Sequence, residues 1–224
     1  MSYEAKMIIS SDKEYQATKL IKQGKEVLAA PFNELAQWIS STWNVTVLNV
    51  IYDHTDLCCR PRLQVILELE KDAWTFRDGV NYDKQKQKHI IDEFRNIISR
   101  DKIQGFDVDN LFVVFSAFEP IAKEEADSQI HEEEIAALKN RIDNPDIWEI
   151  SRCFGHVTFF FFTDDQVKRY EAEGKRDIYA RMYFDLLKPH DEFGYLSEEE
   201  FKIKFDSKQN FDDNYRGNWF YYYR

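Results

Sequence analysis

Four consecutive phenylalanines, Phe159-Phe160-Phe161-Phe162, are the strongest indication of a buried core element in this chain. Val157 leads into this run, and none of the four phenyl side chains carries a polar atom. The run is far shorter than the ~20 apolar residues that cross a bilayer. A short apolar run of this kind is typical of a strand that is buried on both faces. We therefore predict a single central β-strand over about residues 150–163.

A second aromatic run, Trp219-Phe220-Tyr221-Tyr222-Tyr223, closes the chain. In a strand, Trp219, Tyr221 and Tyr223 would share one face. Tyrosine and tryptophan combine a large apolar body with a polar tip, which suits half-buried positions and the centres of binding surfaces. We predict a closing strand. Core packing and an aromatic partner-binding surface are the two interpretations of it.

A capping pattern at residues 11–14 with a helix stop at Gly24, and apolar patterns along the rest of the chain, predict an irregular alternation of helices and strands. Predicted helices cover 12–23, a segment starting at Pro31, 83–99 and 120–142, and another begins at Ser197; predicted strands cover 45–52, 62–70 and 111–118. The alternation indicates an α/β (or α+β) fold with a mixed β-sheet of about five to six strands covered by helices. We expect one compact domain over residues 1–224, with a boundary near 144–149 as the alternative, and no internal repeat is visible.

The charge balance indicates which partners the chain attracts. The sequence has 224 residues, 41 acidic side chains against 30 lysines and arginines, and a net charge of −11. This field repels nucleic acid and anionic membranes and attracts basic proteins. We expect a basic protein partner, no nucleic acid and no membrane, although acidity of this kind also serves solubility alone.

Cysteine usage and the first residues of the chain point to a cytoplasmic location. The three cysteines include the adjacent pair Cys58 and Cys59, which is not the spacing of a disulfide framework. No basic segment followed by an apolar one opens the sequence.

A catalytic site is not apparent from any compact motif. The sequence lacks a P-loop, a G-x-G-x-x-G string and a G-x-S-x-G elbow, so no cofactor is expected. Asp53 could serve a metal-dependent nuclease if a D/E-x-K motif followed, but the next strand carries Glu68-Leu69-Glu70-Lys71, with the lysine displaced by one position. The candidates for a dispersed site are Asp53, His54, Glu68, Glu70, Cys153 and His156.

Two patterns resemble metal sites without completing one. Cys58, Cys59, Cys153 and His156 are zinc-ligand types, but adjacent cysteines chelate poorly. Cys153 and His156 would face opposite sides of one strand unless Gly155 forms a bulge. Around Gly194 and Glu200 the sequence resembles the second half of an EF-hand loop, but Pro189 and Phe193 occupy ligand positions. No metal site is predicted.

Two charged clusters have both a structural and a functional interpretation. Lys84, Lys86 and Lys88 open a predicted helix, where a bound anion would relieve their conflict with the helix dipole. Glu132, Glu133 and Glu134 could meet a basic partner. The alternative for both clusters is a solvated helix face.

These observations favour a non-catalytic binding protein. Its most specific form is an acidic, immunity-type antagonist of a basic toxin or enzyme, with Glu132, Glu133, Glu134, Trp219, Tyr221 and Tyr223 as candidate contacts. The alternative is an enzyme, hydrolytic or nuclease-like, that assembles the dispersed Asp, Glu, His and Cys candidates. The oligomeric state is left open.

Overall fold

A computed structural model of the chain describes residues 9–55, 59–153 and 155–224; Cys58 lies outside these residues. The predicted class is confirmed, since the protein is α/β with mixed sheets packed against helices. The strands are divided among three small sheets. The chain forms two compact units, one ending at Ile121 and the other spanning Ala122–Arg224. Whether they act as the single domain expected from the sequence stays a prediction.

The first unit contains a three-stranded sheet that packs against helices. Its sheet has the order β1-β2-β5, with β2 antiparallel to β1 and parallel to β5. The helices and strands of this unit are α1 (Lys13–Lys22), α2 (Phe32–Trp43), β1 (Val47–His54), β2 (Pro61–Leu67), α3 (Glu70–Trp74), β3 (Arg77–Asp78), β4 (Asn81–Tyr82), α4 (Lys84–Arg100) and β5 (Phe112–Ala117), followed by α5 (Phe118–Ser128).

Strand β2 differs from the prediction because it is covered on both faces. In the sequence, Leu63, Val65, Leu67 and Leu69 alternate with Arg62, Gln64, Glu68 and Glu70, which predicts a strand with one solvent-exposed face. In the structure, Gln64 and Ile66 are buried like their apolar neighbours. Helix α1 provides the second cover: the amide of Asn49 on β1 donates to the Thr18 hydroxyl at 3.0 Å, and Tyr15 stacks on Phe118. The Thr18 hydroxyl of α1 thus satisfies the buried amide of Asn49 on this face of the sheet.

The second unit has the same kind of sheet. Its order is β6-β7-β8, with β7 antiparallel to β6 and parallel to β8. Its elements after α5 are α6 (Glu132–Ile142), β6 (Ile147–Cys153), β7 (His156–Phe161), α7 (Asp164–Ala172), α8 (Lys175–Leu187), β8 (Ile203–Ser207), α9 (Lys208–Tyr215) and α10 (Trp219–Tyr222).

Three predictions of secondary structure in this unit are wrong. The single strand in 150–163 is a β6–β7 hairpin that turns at Gly155 with φ 72°, a backbone conformation that glycine tolerates. The helix over 120–142 is two helices, because His131 begins α6 and Glu134 accepts a hydrogen bond from its backbone N–H at 2.9 Å. The segment at Ser197 forms a turn rather than a helix.

The predicted closing strand is also wrong, since the C-terminal aromatic run forms the short helix α10. Positive φ angles at Arg216 and Gly217 end α9, and the Asn218 side chain then accepts a hydrogen bond from the backbone N–H of Phe220 at 2.9 Å. In a helix, Trp219, Tyr222 and Tyr223 share a face, whereas Tyr221 does not. The run therefore packs against β6 and β7 instead of pairing with a strand.

The two units repeat one topology that the sequence did not reveal. In both, a helix precedes an antiparallel pair, the first strand has a register irregularity (Val47/Asn49 and Ile147/Glu149), and a parallel third strand leads into a helix. That final helix is tied back in the same way, by Glu119 N–H to Glu68 O (3.0 Å) and by Gln209 N–H to Phe162 O (3.2 Å). No helix among the described residues is long and apolar enough to cross a membrane.

Candidate functional site

The most informative concave feature of the second unit is a cleft of about 460 Å³. It lies between the end of α5, the start of α6 and strand β6, and Trp219 contributes to its wall. We call it the acidic cleft; its lining residues are Glu124, Asp127, Ser128, Glu132, Glu149, Ile150, Ser151, Arg152, Cys153, Gly155 and Trp219.

Four carboxylates line the acidic cleft from three separate elements. Glu124 and Asp127 are three residues apart on α5, and this spacing places them on one face of the helix. Glu132 is in the first turn of α6, where negative charge is stabilised by the helix dipole. Glu149 follows the register irregularity of β6, at which the regular alternation of side chains is interrupted. The fold thus gathers negative charge from distant parts of the sequence.

One guanidinium, that of Arg152, opposes these four carboxylates. It donates to the backbone oxygens of Asp127 at 2.8 Å and Ile130 at 3.1 Å, and to Glu132 Oε1 at 3.0 Å. These contacts fasten the α5–α6 turn to β6, and the single positive charge of Arg152 offsets only one of the four carboxylates. The Glu132 side chain stays 88% exposed in this pair.

A buried tyrosine supports the same wall from behind. The hydroxyl of Tyr183 donates to Asp127 Oδ1 at 2.5 Å, and Tyr183 is fully buried. Burial, and then the charge of Asp127, raise the pKa of Tyr183, so this hydroxyl stays protonated and continues to donate. The Asp127 side chain is thereby held in position.

The aromatic side chains of α10 pack against β6 and β7 beside the acidic cleft. Trp219 stacks on Trp148 with ring centroids 6.0 Å apart and contacts Phe211 at 4.2 Å. The hydroxyl of Tyr222 donates to Asp206 at 2.6 Å, and the hydroxyls of Tyr223 and Ser151 are hydrogen-bonded at 2.6 Å. The rings of Trp219, Tyr222 and Tyr223 therefore cover the sheet, while Trp219 keeps 38% of its surface exposed beside the cleft.

The outward face of α10 carries Phe220, 68% exposed, and Tyr221, 47% exposed. Of the predicted aromatic contacts, only Trp219 lines the acidic cleft. Of the predicted acidic contacts, only Glu132 does; Glu133 is exposed outside it, and Glu134 is engaged in the capping interaction at His131.

The candidates Cys153 and His156 are brought together by the hairpin. They are paired across the β6–β7 ladder, and directly opposed residues share a face of a sheet. This corrects the expectation that they face opposite sides. Burial and the charge of Glu124 raise the pKa of the Cys153 thiol, which disfavours the thiolate that nucleophilic catalysis requires.

The candidates of the first unit lie at two ends of one strand pair. Asp53 is opposite Arg62 near one end, and its carboxylate accepts two bonds from Arg62 (2.9 and 2.6 Å) and one from Gln64 (2.6 Å). Glu68 is beyond the other end, where its N–H donates to Thr46 O. Thr46 and Asp53 are seven positions apart along extended chain, a distance of roughly 23 Å.

The remaining candidates of this unit do not converge on Asp53. Glu68 is paired with Lys22 at 2.5 Å, and Glu70 begins α3, so Lys71 is on a helix rather than on the strand that a D/E-x-K motif requires. His54 is exposed and packs edge-on against Tyr52. Asp53 therefore takes part in a structural ion pair rather than in a carboxylate cluster.

No group of three or more His, Cys, Asp or Glu side chains in residues 9–55, 59–153 and 155–224 is arranged to hold a metal ion. Cys58, one of the four zinc-ligand candidates, lies outside those residues. The EF-hand resemblance has a different explanation: the Asp191 carboxylate accepts from the N–H groups of Tyr195 (2.9 Å) and Leu196 (3.0 Å), which shapes the turn at Gly194.

The sequence did not identify Glu124, Asp127, Glu149 or Arg152 as site residues. The signal that would have found Glu149 and Arg152 is Gly155, since a hairpin turn there places both on a strand beside α5 and α6. Comparison of the chain with protein-family models, with curated proteins and with solved structures finds no match.

Proposed function

We propose that this chain is a non-catalytic binding protein whose acidic cleft receives a basic segment of another protein. One observation carries the proposal: four carboxylates surround a concave surface lined by one guanidinium, which is held by two backbone carbonyls and by Glu132. Such a surface attracts lysine and arginine side chains. In its most specific form the chain is a cytoplasmic antagonist of a basic toxin or enzyme.

Electrostatics supports both the rate and the specificity of such an encounter. A net charge of −11 steers a basic partner toward the protein over distances beyond direct contact. Within the cleft, Glu124 and Glu149 are exposed and available to a partner's cations. The local excess of negative charge favours positively charged groups over neutral ones.

Trp219 adds a second kind of recognition. Its indole lines the cleft and is partly exposed, and a guanidinium or ammonium group placed over an indole is attracted to the ring. Its stacking on Trp148 holds the ring in one orientation before a partner arrives. A fixed ring loses little conformational freedom on binding, which favours affinity.

The enzyme alternative has weaker support. Asp53 is engaged with Arg62 and lies far from Glu68 along the strand pair, and the thiol form of Cys153 is favoured. The acidic cleft, in contrast, uses residues from three elements that face one space. Binding therefore remains the proposal that the geometry favours.

A charge-neutralising variant tests the proposal with a defined probe. We expect Glu124→Gln combined with Glu149→Gln to weaken binding of a fluorescent arginine- and lysine-rich peptide about tenfold, since two exposed carboxylates are lost. Fluorescence anisotropy at several salt concentrations measures the dissociation constant. The native lysate, passed over both proteins, would then yield a stoichiometric partner only on the unmodified chain.

The matched control changes the net charge equally outside the cleft. Glu173→Gln with Asp213→Asn removes two exposed carboxylates of the same unit. If this control weakens peptide binding as much as the cleft variant does, attraction by overall charge explains the binding and the cleft proposal is wrong.

A further inference from the structure

The first unit contains a second cleft of opposite sign, of about 260 Å³. It lies between α4 and the segment that leads into β5, and Arg60 closes one side. We call it the basic cleft; its charged lining residues are Arg60, Lys84, Lys88, Asp92 and Arg95. Four cations thus meet one carboxylate, in a chain whose net charge is −11.

Helical spacing explains how three of these cations come together. Lys84, Lys88 and Arg95 are at positions i, i+4 and i+11 of α4, which is one face of the helix. Lys86, the other lysine of the cluster seen in the sequence, points elsewhere and donates to the backbone oxygen of Thr75. The N-terminus of α4 is already capped by Asp83, whose carboxylate accepts from Gln85 N–H at 2.9 Å. The side chains, not the helix end, therefore make this site.

Both arginines are positioned by neutral partners. Arg60 Nε donates to the backbone oxygen of Asn110 at 2.7 Å, and its guanidinium carbon is 4.5 Å from the centre of the Phe112 ring. Arg95 donates to the backbone oxygen of Val108 at 2.7 Å. Neutral acceptors fix the orientation of a guanidinium without neutralising its charge, so both arginines are preorganised toward an anion.

Only part of the positive charge is balanced. Lys88 is paired with Asp92 at 2.7 Å, and Arg95 approaches the same carboxylate at 3.7 Å. Lys84 is exposed and makes no ion pair within the described part of the chain. One carboxylate shared by two cations leaves an excess of positive charge directed at the cleft.

The size of the cleft and the field of the whole protein define the ligand. A volume of about 260 Å³ accommodates a compact anion with a few attached atoms. The overall negative charge disfavours a long polyanion such as nucleic acid. Arginine presents its donors as a fork that matches phosphate oxygens.

We propose that the basic cleft binds a phosphate group, either free inorganic phosphate or a phosphate monoester on a partner's side chain. Arg60 supplies paired donors, Lys84 and Lys88 supply point charges, and Arg95 closes the far side. This site is separate from the acidic cleft, and its existence does not depend on the function proposed for that cleft.

Calorimetric titration of the full chain tests the site with two probes, inorganic phosphate and a phosphoserine peptide, beside the unphosphorylated peptide. We expect saturable binding of at least one phosphorylated probe and none of the unphosphorylated peptide. Arg60→Lys, which keeps the charge but removes the fork, and Lys84→Gln should each weaken binding about tenfold. Lys25→Gln, exposed and outside the cleft, is the matched charge control.

The affinities for inorganic phosphate and for the phosphoserine peptide identify the ligand. Binding of inorganic phosphate as tight as that of the peptide identifies the free anion as ligand, and tighter peptide binding identifies a phosphorylated partner. No saturable binding of either probe overturns the proposal. Binding that Lys25→Gln weakens as much as Lys84→Gln also overturns it, because the attraction would then be unspecific.

Discussion

Tyr183 and Tyr222 each place a phenolic hydroxyl against a carboxylate in the second unit. Tyr183 donates to Asp127 and Tyr222 donates to Asp206. Burial is the main cause that raises the pKa of both hydroxyls above the ordinary value of 10.0, and the neighbouring carboxylates add to it. The folded protein thus binds these protons more tightly than the unfolded chain does.

This linkage predicts the alkaline stability of the protein. The contribution of the two hydroxyls is fully present below pH 10, and it is lost as the pH rises above the unfolded pKa of about 10. We expect the free energy of unfolding, measured by urea denaturation, to fall above that pH. Tyr183→Phe and Tyr222→Phe should flatten this decline, and Tyr221→Phe, in the outward-facing part of α10, should leave it unchanged. Equal slopes in all four proteins would contradict the assignment.

The contacts of Arg152 in the acidic cleft could not be inferred from its position in the sequence. In the sequence, Arg152 occupies a polar position of a strand and resembles a solvent-facing residue. In the structure, its side chain is only 17% exposed. Its acceptors, at Asp127, Ile130 and Glu132, lie some 20 residues earlier in the chain. Local spacing carries no information about such contacts, so the site could not be assembled from the sequence.

At the level of secondary structure, α10 is the element that differs most from its prediction. A strand and a helix arrange the same five aromatic residues differently, since a strand alternates faces and a helix repeats every 3.6 residues. The helix directs Trp219 into the rings of Trp148, Phe160 and Phe211 and leaves Phe220 outward. The two conformations therefore predict different stability effects.

Alanine substitutions distinguish the two. We expect Trp219→Ala to lower the free energy of unfolding by about 2 kcal/mol, because a partly buried indole loses its contacts. Phe220→Ala, at a position that is 68% exposed, should change it by less than about 0.5 kcal/mol. Urea denaturation followed by circular dichroism provides both values. A larger loss for Phe220→Ala than for Trp219→Ala would be incompatible with α10.

At the scale of the whole molecule, the two units use different segments to cover the second face of the same kind of sheet. In the first unit α1 does so, through Thr18 and Tyr15. In the second unit the helix α10 does so, through Trp219, Tyr222 and Tyr223. An aromatic C-terminal helix thus has the role that an N-terminal helix has in the first unit.

Each unit has its own hydrophobic core, which predicts independent folding of the second. The core of that unit contains Ile135, Ile150, Phe159 and Tyr183, all from its own elements. We expect a fragment of residues 118–224, which includes all of α5, to show dispersed amide signals in NMR spectra and a cooperative thermal transition. A fragment of residues 132–224, without the α5 side chains of this core, is the comparison. A disordered 118–224 fragment would instead support a single domain.

The amino-acid sequence alone indicates the α/β class and the positions of α1, α2, α4, β1 and β5. The capping pattern and Gly24 bound α1, and the other four contain strong local patterns of apolar side chains. The sequence also indicates that the phenylalanine run is a buried strand, which β7 confirms. Only the tertiary structure decided that Phe159–Phe162 belongs to a hairpin, that α10 is a helix, and that four carboxylates share one cleft. These features depend on which surface covers another, and such long-range packing leaves no periodic signal in a single sequence.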